Sequence, residues 1–179
     1  MDAIFLIGLI GSLALVIGAA WPEIKDGKHP IKSAKNWLFA IGGAIMLLYA
    51  LFNYYSGGGT IFFVMLEVLI VIASVLMMLG APDKVDVPII ASLTLGLIVW
   101  SFFLFENYNT LFFILGLSGI SLGYALEMDT LRRSVALTFG SVLIALFSYI
   151  EASWIFFWLN LFFALFSAYY LVKTLQAKK

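Results

Sequence analysis

The segment from Thr60 to Gly80 reads TIFFVMLEVLIVIASVLMMLG. It has about the 20 residues that an α-helix needs to cross the hydrocarbon core of a bilayer. Glu67 is its only charged side chain. A carboxyl group at that depth is costly, so it is usually either paired or functional. The segment therefore predicts a transmembrane helix that contains one candidate functional residue.

The composition of the whole chain agrees with a membrane protein. Of its 179 residues, 64% are hydrophobic and 11% are charged, and the mean hydropathy is +1.09. Soluble domains have roughly 25% charged residues. The chain has no cysteine and one histidine, His29, which excludes disulfides, thiolate nucleophiles and multi-histidine metal sites. We therefore expect a polytopic membrane protein that is not an enzyme, has no cofactor and binds no nucleic acid.

Seven apolar runs predict an all-α integral membrane protein with seven transmembrane helices. Proline and glycine residues in the connections, including Pro82, Pro88 and Gly57–Gly59, are typical of positions where helices stop. The run from 88 to 105 is one of the shorter runs, and the count of seven depends most on it. The runs cover residues 3–21, 35–55, 60–80, 88–105, 110–127, 134–150 and 153–175.

The basic residues all lie on one side of this seven-helix arrangement. The other side has only Asp2, Glu106 and Glu151 as charged side chains. The positive-inside rule then places the N-terminus outside and the C-terminus in the cytoplasm, in the inner (plasma) membrane of the cell. The basic residues are Lys25, Lys28, Lys32, Lys35, Lys84, Arg132, Arg133, Lys173, Lys178 and Lys179.

The seven runs also suggest a duplicated three-helix unit. Aligning Gly8 with Gly116 places Gly11 on Gly119, and a glycine followed seven residues later by an aromatic residue occurs in both the second and the sixth run. The pattern predicts two parallel three-helix repeats joined by a linker helix, an order written 3+1+3, with a pseudo-two-fold axis along the membrane normal. The predicted segments are residues 1–80, the linker 81–107, and residues 108–179.

This layout resembles that of the SWEET and PQ-loop transporters. The segment Trp21-Pro22-Glu23-Ile24-Lys25 is similar to the PQ-loop segment at the end of that family's first helix, with Glu23 in place of the glutamine. The YgjV-type membrane proteins and the PnuC vitamin transporters have related layouts and remain alternatives. The resemblance to the SWEET group implies a central substrate site that asparagines of the third and seventh helices face.

Two polar residues are the main candidates for such a site. Glu67 and Asn160 each lie about seven residues into a run that enters from the outer side. Asn160 matches the pattern that the resemblance implies, whereas Glu67 replaces an amide with an acid. If both face the axis, they could hold a polar or cationic ligand, and Glu67 could take up a proton. In the structural alternative, Glu67 bonds to Asn160 or to a backbone carbonyl and only fixes the packing.

Three aromatic residues come to a similar height by residue count. Tyr49, Trp100 and Tyr149 could stack against a flat or sugar-like ligand. Ordinary lipid-facing or interfacial aromatic residues are the alternative interpretation.

Two functions follow from these observations. The first is a small transporter that moves a small polar solute by alternating access through a central site between two three-helix bundles. The second is a non-transporting scaffold or accessory subunit of a membrane complex, in which Glu67 bonds to a partner helix. The expected partners are membrane lipid and, for the first function, the solute. A homo-oligomer or a partner membrane protein is compatible with either.

Overall fold

The computed structural model describes residues 2–21, 31, 33–126 and 130–176. Seven α-helices and no strand occur in these ranges, as the apolar runs predicted. Six of the helices are long and apolar enough to cross a membrane, and α5 is a shorter apolar helix of 17 residues. The helices are α1 (Ala3–Ala20), α2 (Ala34–Tyr55), α3 (Ile61–Leu79), α4 (Asp83–Phe103), α5 (Asn109–Ala125), α6 (Leu131–Ile150) and α7 (Trp154–Gln176).

Local sequence explains several of the helix ends. Ser33 caps α2 by accepting a hydrogen bond from the backbone N–H of Asn36, and Thr130 caps α6 in the same way. Gly80 ends α3 with φ +61°, and Gly57 follows α2 with φ +77°. These left-handed conformations are easy for glycine because it lacks a Cβ atom.

The prediction that Pro88 stops a helix is wrong. Helix α4 begins at Asp83, and Pro88 lies inside it. Pro88 is the sixth residue of α4, so its missing N–H removes one helical hydrogen bond, the one to the carbonyl of Lys84, and both residues are exposed. The backbone N–H groups of Val85 and Asp86 bond to the carbonyl of Pro82, which starts the helix before the proline is reached. The fourth span is therefore longer than the apolar run suggested.

The chain falls into two compact units, Met1–Asp86 and Val87–Lys179. Nearly all of α4 therefore belongs to the second unit. Within the first unit, α2 packs against both α1 and α3. Within the second, α6 packs against both α5 and α7. The prediction of a separate linker at 81–107 stays a prediction.

Small residues set the contact between α1 and α2. A Cβ atom at Gly42 would lie 2.9 Å from Cγ of Leu15, and one at Gly11 would lie 3.0 Å from Met46. Glycine at these positions lets the two helices approach closely, as is common in membranes. On another side of α2, a Cβ atom at Gly43 would lie 3.4 Å from Val71, which places α3 there.

The contact between α5 and α6 is closer still. A Cβ atom at Gly140 would lie 2.5 Å from the backbone nitrogen of Ile120, and one at Gly116 would lie 2.8 Å from Ile144. Gly123 faces Leu137. The rings of Phe113 and Phe147 add an aromatic contact, with their centroids 5.4 Å apart.

Several sequence-based predictions lie outside the described residues. They concern most of the PQ-loop-like segment, His29, and some of the charged residues that set the predicted orientation. The residues are Pro22 to Pro30, Lys32, Glu127 to Asp129, Lys178 and Lys179.

Candidate functional site

Glu67 is the most unusual side chain in the first unit. It lies in the first half of α3, is 0% exposed, and neither of its carboxyl oxygens has a hydrogen-bond partner. Its neighbours along the helix, Leu66, Leu69 and Ile70, are buried hydrophobic residues. Leaving a buried polar group unpaired costs about 1–3 kcal/mol, and more when it is charged. A residue kept at that cost is a candidate for function.

The structural alternative for Glu67 required a hydrogen bond to Asn160 or to a backbone carbonyl. Neither carboxyl oxygen is bonded to a backbone carbonyl, and a bond to Asn160 concerns the arrangement of the two units and stays a prediction. Glu67 therefore does not stabilise the fold through a hydrogen bond to the backbone.

Two more unpaired hydroxyl groups accompany Glu67 along α3. Ser74 is 0% exposed and its hydroxyl has no partner, and the buried hydroxyl oxygen of Thr60 has none either. The three residues are seven positions apart, which is two helical turns, so they follow one face of the helix. Among the described residues, the only other buried side-chain oxygen without a partner belongs to Asp86.

Other hydroxyl groups of the chain behave differently from Ser74. A serine or threonine within a helix commonly donates to the carbonyl four residues earlier. Thr94, Ser101 and Ser148 are buried and do so at 2.7–2.8 Å. Ser74 is as deeply buried as Ser148 but makes no such bond. Its hydroxyl group is therefore available to another group.

Thr60 differs in the same way from two other N-cap residues, Ser33 and Thr130. It is the N-cap residue of α3, yet its side chain makes no capping hydrogen bond. The side chains of Ser33 and Thr130 accept bonds of 3.4 Å and 3.3 Å from the first turns of α2 and α6. A threonine at an N-cap usually does the same.

Asn160 has a hydrogen bond where Glu67 has none. It is 4% exposed in α7 and donates from Nδ2 to the carbonyl of Phe156 at 2.9 Å. Both residues are at the seventh position of their helices, since α3 begins at Ile61 and α7 at Trp154. The expectation that Glu67 and Asn160 share one central site concerns the arrangement of the two units and stays a prediction.

The three aromatic candidates lie in different surroundings. Tyr49 is buried within α2, whereas Trp100 on α4 is 50% exposed. Tyr149 is 58% exposed at the end of α6, where its ring meets those of Trp154 and Phe157 at 5.9 Å and 5.7 Å. Burial thus separates Tyr49 from the other two, and stacking on a ligand stays a prediction for all three.

In the second unit, a polar contact joins α4 to α5. The hydroxyl groups of Thr94 and Ser121 are hydrogen-bonded to each other, and both residues are buried. Thr94 also bonds to the carbonyl of Ile90. Hydroxyl groups paired in this way hold helices together in membranes, so we interpret the contact as structural.

In the part of the chain that the structure describes, no group of three or more histidine, cysteine or acidic residues could hold a metal ion. Thr60 and Ser74 were not among the sequence-based candidates. The signal that could have identified them is the spacing of Thr60, Glu67 and Ser74, because seven residues bring side chains to the same helix face.

The described residues form an all-helical protein, and six of its helices are long and apolar enough to cross a membrane. Comparisons with models of protein families, with curated proteins and with solved structures find no match. The function must therefore be argued from the residues themselves.

Proposed function

We propose that this chain is a membrane transporter for a small polar solute and that Glu67 contacts the solute or a coupled proton. The observation that carries the proposal is the fully buried Glu67 carboxyl group without a hydrogen-bond partner. Ionisable residues inside membranes often mark the path of a substrate or an ion. A polar group that is unsatisfied in one state can find its partner when a ligand binds or the helices move.

The proposal includes a duplicated three-helix unit with the order 3+1+3. Equivalent helix contacts support it: Gly42 packs on Leu15 as Gly140 packs on Ile120, and Gly11 meets Met46 as Gly116 meets Ile144. Gly18 and Phe39 form a third pair that matches Gly123 and Leu137.

These contacts change the sequence alignment of α1 with α5 by three residues, which is nearly one helical turn. Gly11 corresponds to Gly116 by its contacts, whereas the alignment by sequence placed Gly11 on Gly119. The correspondence of Gly42 with Gly140 is unchanged. Counting from the first residues of α3 and α7 places Phe63 on Phe156, Leu66 on Leu159 and Glu67 on Asn160, and all six residues are buried.

Repeated units of this kind supply the two halves of many transporters, which bind their substrates near the middle of the membrane. Glu67 and Asn160 lie at matching positions of the two proposed repeats. In the proposed mechanism, the amide of Asn160 contacts the polar groups of the solute and Glu67 supplies the acid that gives selectivity. The proposed orientation is N-terminus outside and C-terminus in the cytoplasm of the inner (plasma) membrane.

The alternative function, a scaffold or accessory subunit, would use Glu67 to bind a partner helix. That use requires the carboxyl group to reach the surface of the chain. Glu67 is 0% exposed, so the burial of this residue favours the transporter.

Uptake into proteoliposomes tests the proposal. Labelled glucose, glycine and choline serve as a neutral, a zwitterionic and a cationic probe. We expect uptake of at least one probe above that of empty liposomes, and its loss in Glu67→Gln. Glu106→Gln is the matched control because it makes the same change at an exposed position between α4 and α5. Absence of uptake for all three probes, or equal uptake by Glu67→Gln, would contradict the proposal.

A further inference from the structure

We infer that Thr60, Glu67 and Ser74 form a proton path along α3. The inference rests on the proposed function and names the proton as the ion that Glu67 carries. It stands on a row of side chains whose buried oxygens all lack hydrogen-bond partners. No other polar side chain occurs between Ile61 and Leu79, so every polar group of the helix lies in this row.

The spacing suits a path across most of the membrane. Seven residues correspond to about 10 Å of helix, so the row from Thr60 to Ser74 extends over about 20 Å. The hydrocarbon core is about 30 Å thick. Thr60 precedes the first residue of α3, and Ser74 lies five residues before its last residue, Leu79. Glu67 is midway between the two hydroxyl groups.

The other helices of the first unit offer Glu67 no basic partner at its level. Helix α1 has no titratable side chain between Ala3 and Ala20. Gly43 faces Val71, so the antiparallel register puts Lys35 of α2 toward the Leu79 end of α3. The same register places Tyr54 and Tyr55, at the other end of α2, toward Thr60.

Tyr49 is the titratable group of α2 nearest to Glu67 in this register. It is buried and has interactions of its own. Neither oxygen of Glu67 is bonded to it. Burying an ionised carboxylate without a partner costs far more than burying the neutral acid. The packed conformation therefore accommodates Glu67 with its proton.

A proton fits this row better than the other ligand classes do. A metal cation needs several oxygens within about 2.6 Å of itself, which groups about 10 Å apart along a helix cannot supply together. An organic solute cannot be passed along three single side chains about 10 Å apart on one helix, and in the packed conformation Glu67 and Ser74 are each 0% exposed. A proton needs only groups that both donate and accept hydrogen bonds, and hydroxyl and carboxyl groups do both.

In each cycle Glu67 gains one proton and loses one proton. The Glu67 carboxylate takes a proton from water on the Thr60 side and becomes a neutral carboxyl group. It then releases that proton to water on the Ser74 side and becomes a carboxylate again. Each hydroxyl group donates one hydrogen while it accepts another and is unchanged. Because successive groups are about 10 Å apart, the path requires water molecules to enter the gaps between them during the transport cycle.

Proton flux into proteoliposomes tests the path. The vesicles contain the pH-sensitive dye pyranine, and valinomycin with potassium balances the charge while an acidic buffer is added outside. We expect faster acidification than in empty liposomes. Glu67→Gln should reduce the rate to that of empty liposomes, and Ser74→Ala and Thr60→Val should each slow it severalfold.

Two matched variants control for loss of a hydroxyl group. Ser148→Ala removes a serine that is equally buried but bonded to Ile144, and Thr138→Val removes a threonine bonded to Ser134. Both should keep the wild-type rate. The path is overturned if the wild type is no faster than empty liposomes, if Glu67→Gln keeps the wild-type rate, or if the two α3 hydroxyl variants behave like their controls.

A second measurement does not depend on Glu67→Gln folding. Infrared difference spectra of the wild type between acidic and alkaline buffer should contain the C=O band of a protonated carboxyl group. Glu67→Asp, which keeps a carboxyl group at the same place, should shift this band, and Glu106→Asp at an exposed position should leave it in place. The path is overturned if no such band is present or if Glu67→Asp leaves it where it is in the wild type.

The two proposals can fail separately. Solute uptake without proton flux would overturn the path and leave the transporter function standing. Proton flux without uptake of any of the three solute probes would overturn the solute transporter and leave the path standing.

Discussion

Glu67 and Asn160 occupy the seventh positions of α3 and α7, but only Asn160 is hydrogen-bonded to its own helix. The acceptor for Asn160 is the carbonyl of Phe156, four residues earlier. The residue at the corresponding place before Glu67 is Phe63, which is buried like Phe156. At the same position from its start, α3 thus has an acid without a partner, whereas α7 has an amide that is hydrogen-bonded.

The first prediction is that Glu67→Leu stabilises the protein and abolishes transport. Leucine is similar in size and removes two unpaired oxygens, so we expect the free energy of unfolding to rise by about 1–3 kcal/mol. Thermal unfolding in detergent, followed by the fluorescence of the five tryptophans, measures the change. Asn160→Leu is the control: it also removes a hydrogen bond, so it should stabilise less. A lower melting temperature for Glu67→Leu would show that the carboxyl group stabilises the fold.

The second prediction concerns the helix contacts made by glycine. Gly140→Ala should destabilise more than Gly42→Ala because its Cβ atom would meet the backbone nitrogen of Ile120 at 2.5 Å, whereas at Gly42 it would meet the side chain of Leu15 at 2.9 Å. Overpacking costs about 1–3 kcal/mol. Gly96→Ala is the control, since nothing lies within 4 Å of its Cβ position. Melting temperatures that fail to follow this order would contradict the packing of α5 on α6.

The third prediction tests the hydroxyl contact between α4 and α5. Ser121→Ala removes the partner of Thr94, which keeps its bond to the carbonyl of Ile90. Such contacts in membranes contribute about 0.6 kcal/mol on average, so we expect a small loss of stability. A double-mutant cycle with Thr94→Val measures the coupling. Strictly additive effects of the two substitutions would show that the pair contributes nothing.

The fourth prediction is the orientation in the membrane. The chain has no cysteine, so single cysteines can be introduced without further changes. A membrane-impermeant maleimide should label Tyr55→Cys and Tyr108→Cys in intact cells, and Lys84→Cys only after permeabilisation. All three positions are exposed in the structure. Labelling of Lys84→Cys in intact cells would reverse the proposed orientation.

Hydropathy was sufficient to predict the helices because the bilayer requires about 20 apolar residues for each span. The runs at 35–55 and 60–80 agree with α2 and α3 to within a residue at each end. The error at Pro88 came from treating proline as a stop, whereas α4 continues through it with one backbone hydrogen bond fewer.

Hydropathy could not predict which residues face inward, because nearly every position of a span is apolar whether it meets lipid or protein. Trp100 and Tyr149 were grouped with Tyr49 by height alone, yet the structure buries only Tyr49. Height depends on residue count, whereas burial depends on the neighbouring helices. The spacing of seven residues between Thr60, Glu67 and Ser74 can be read from the sequence. That their oxygens are buried without hydrogen-bond partners cannot.

The sequence by itself determined that the chain forms helices long and apolar enough to cross a membrane and that Glu67 lies within one of them, because the transfer of charge and backbone into lipid is governed by composition and length. Only the tertiary structure decided that Glu67 and Ser74 are fully buried and that they and Thr60 have unpaired oxygens. Hydrogen bonds depend on which atoms come within about 3 Å of each other. That distance is set by the packing of α2 and α3, which no residue of α3 specifies alone.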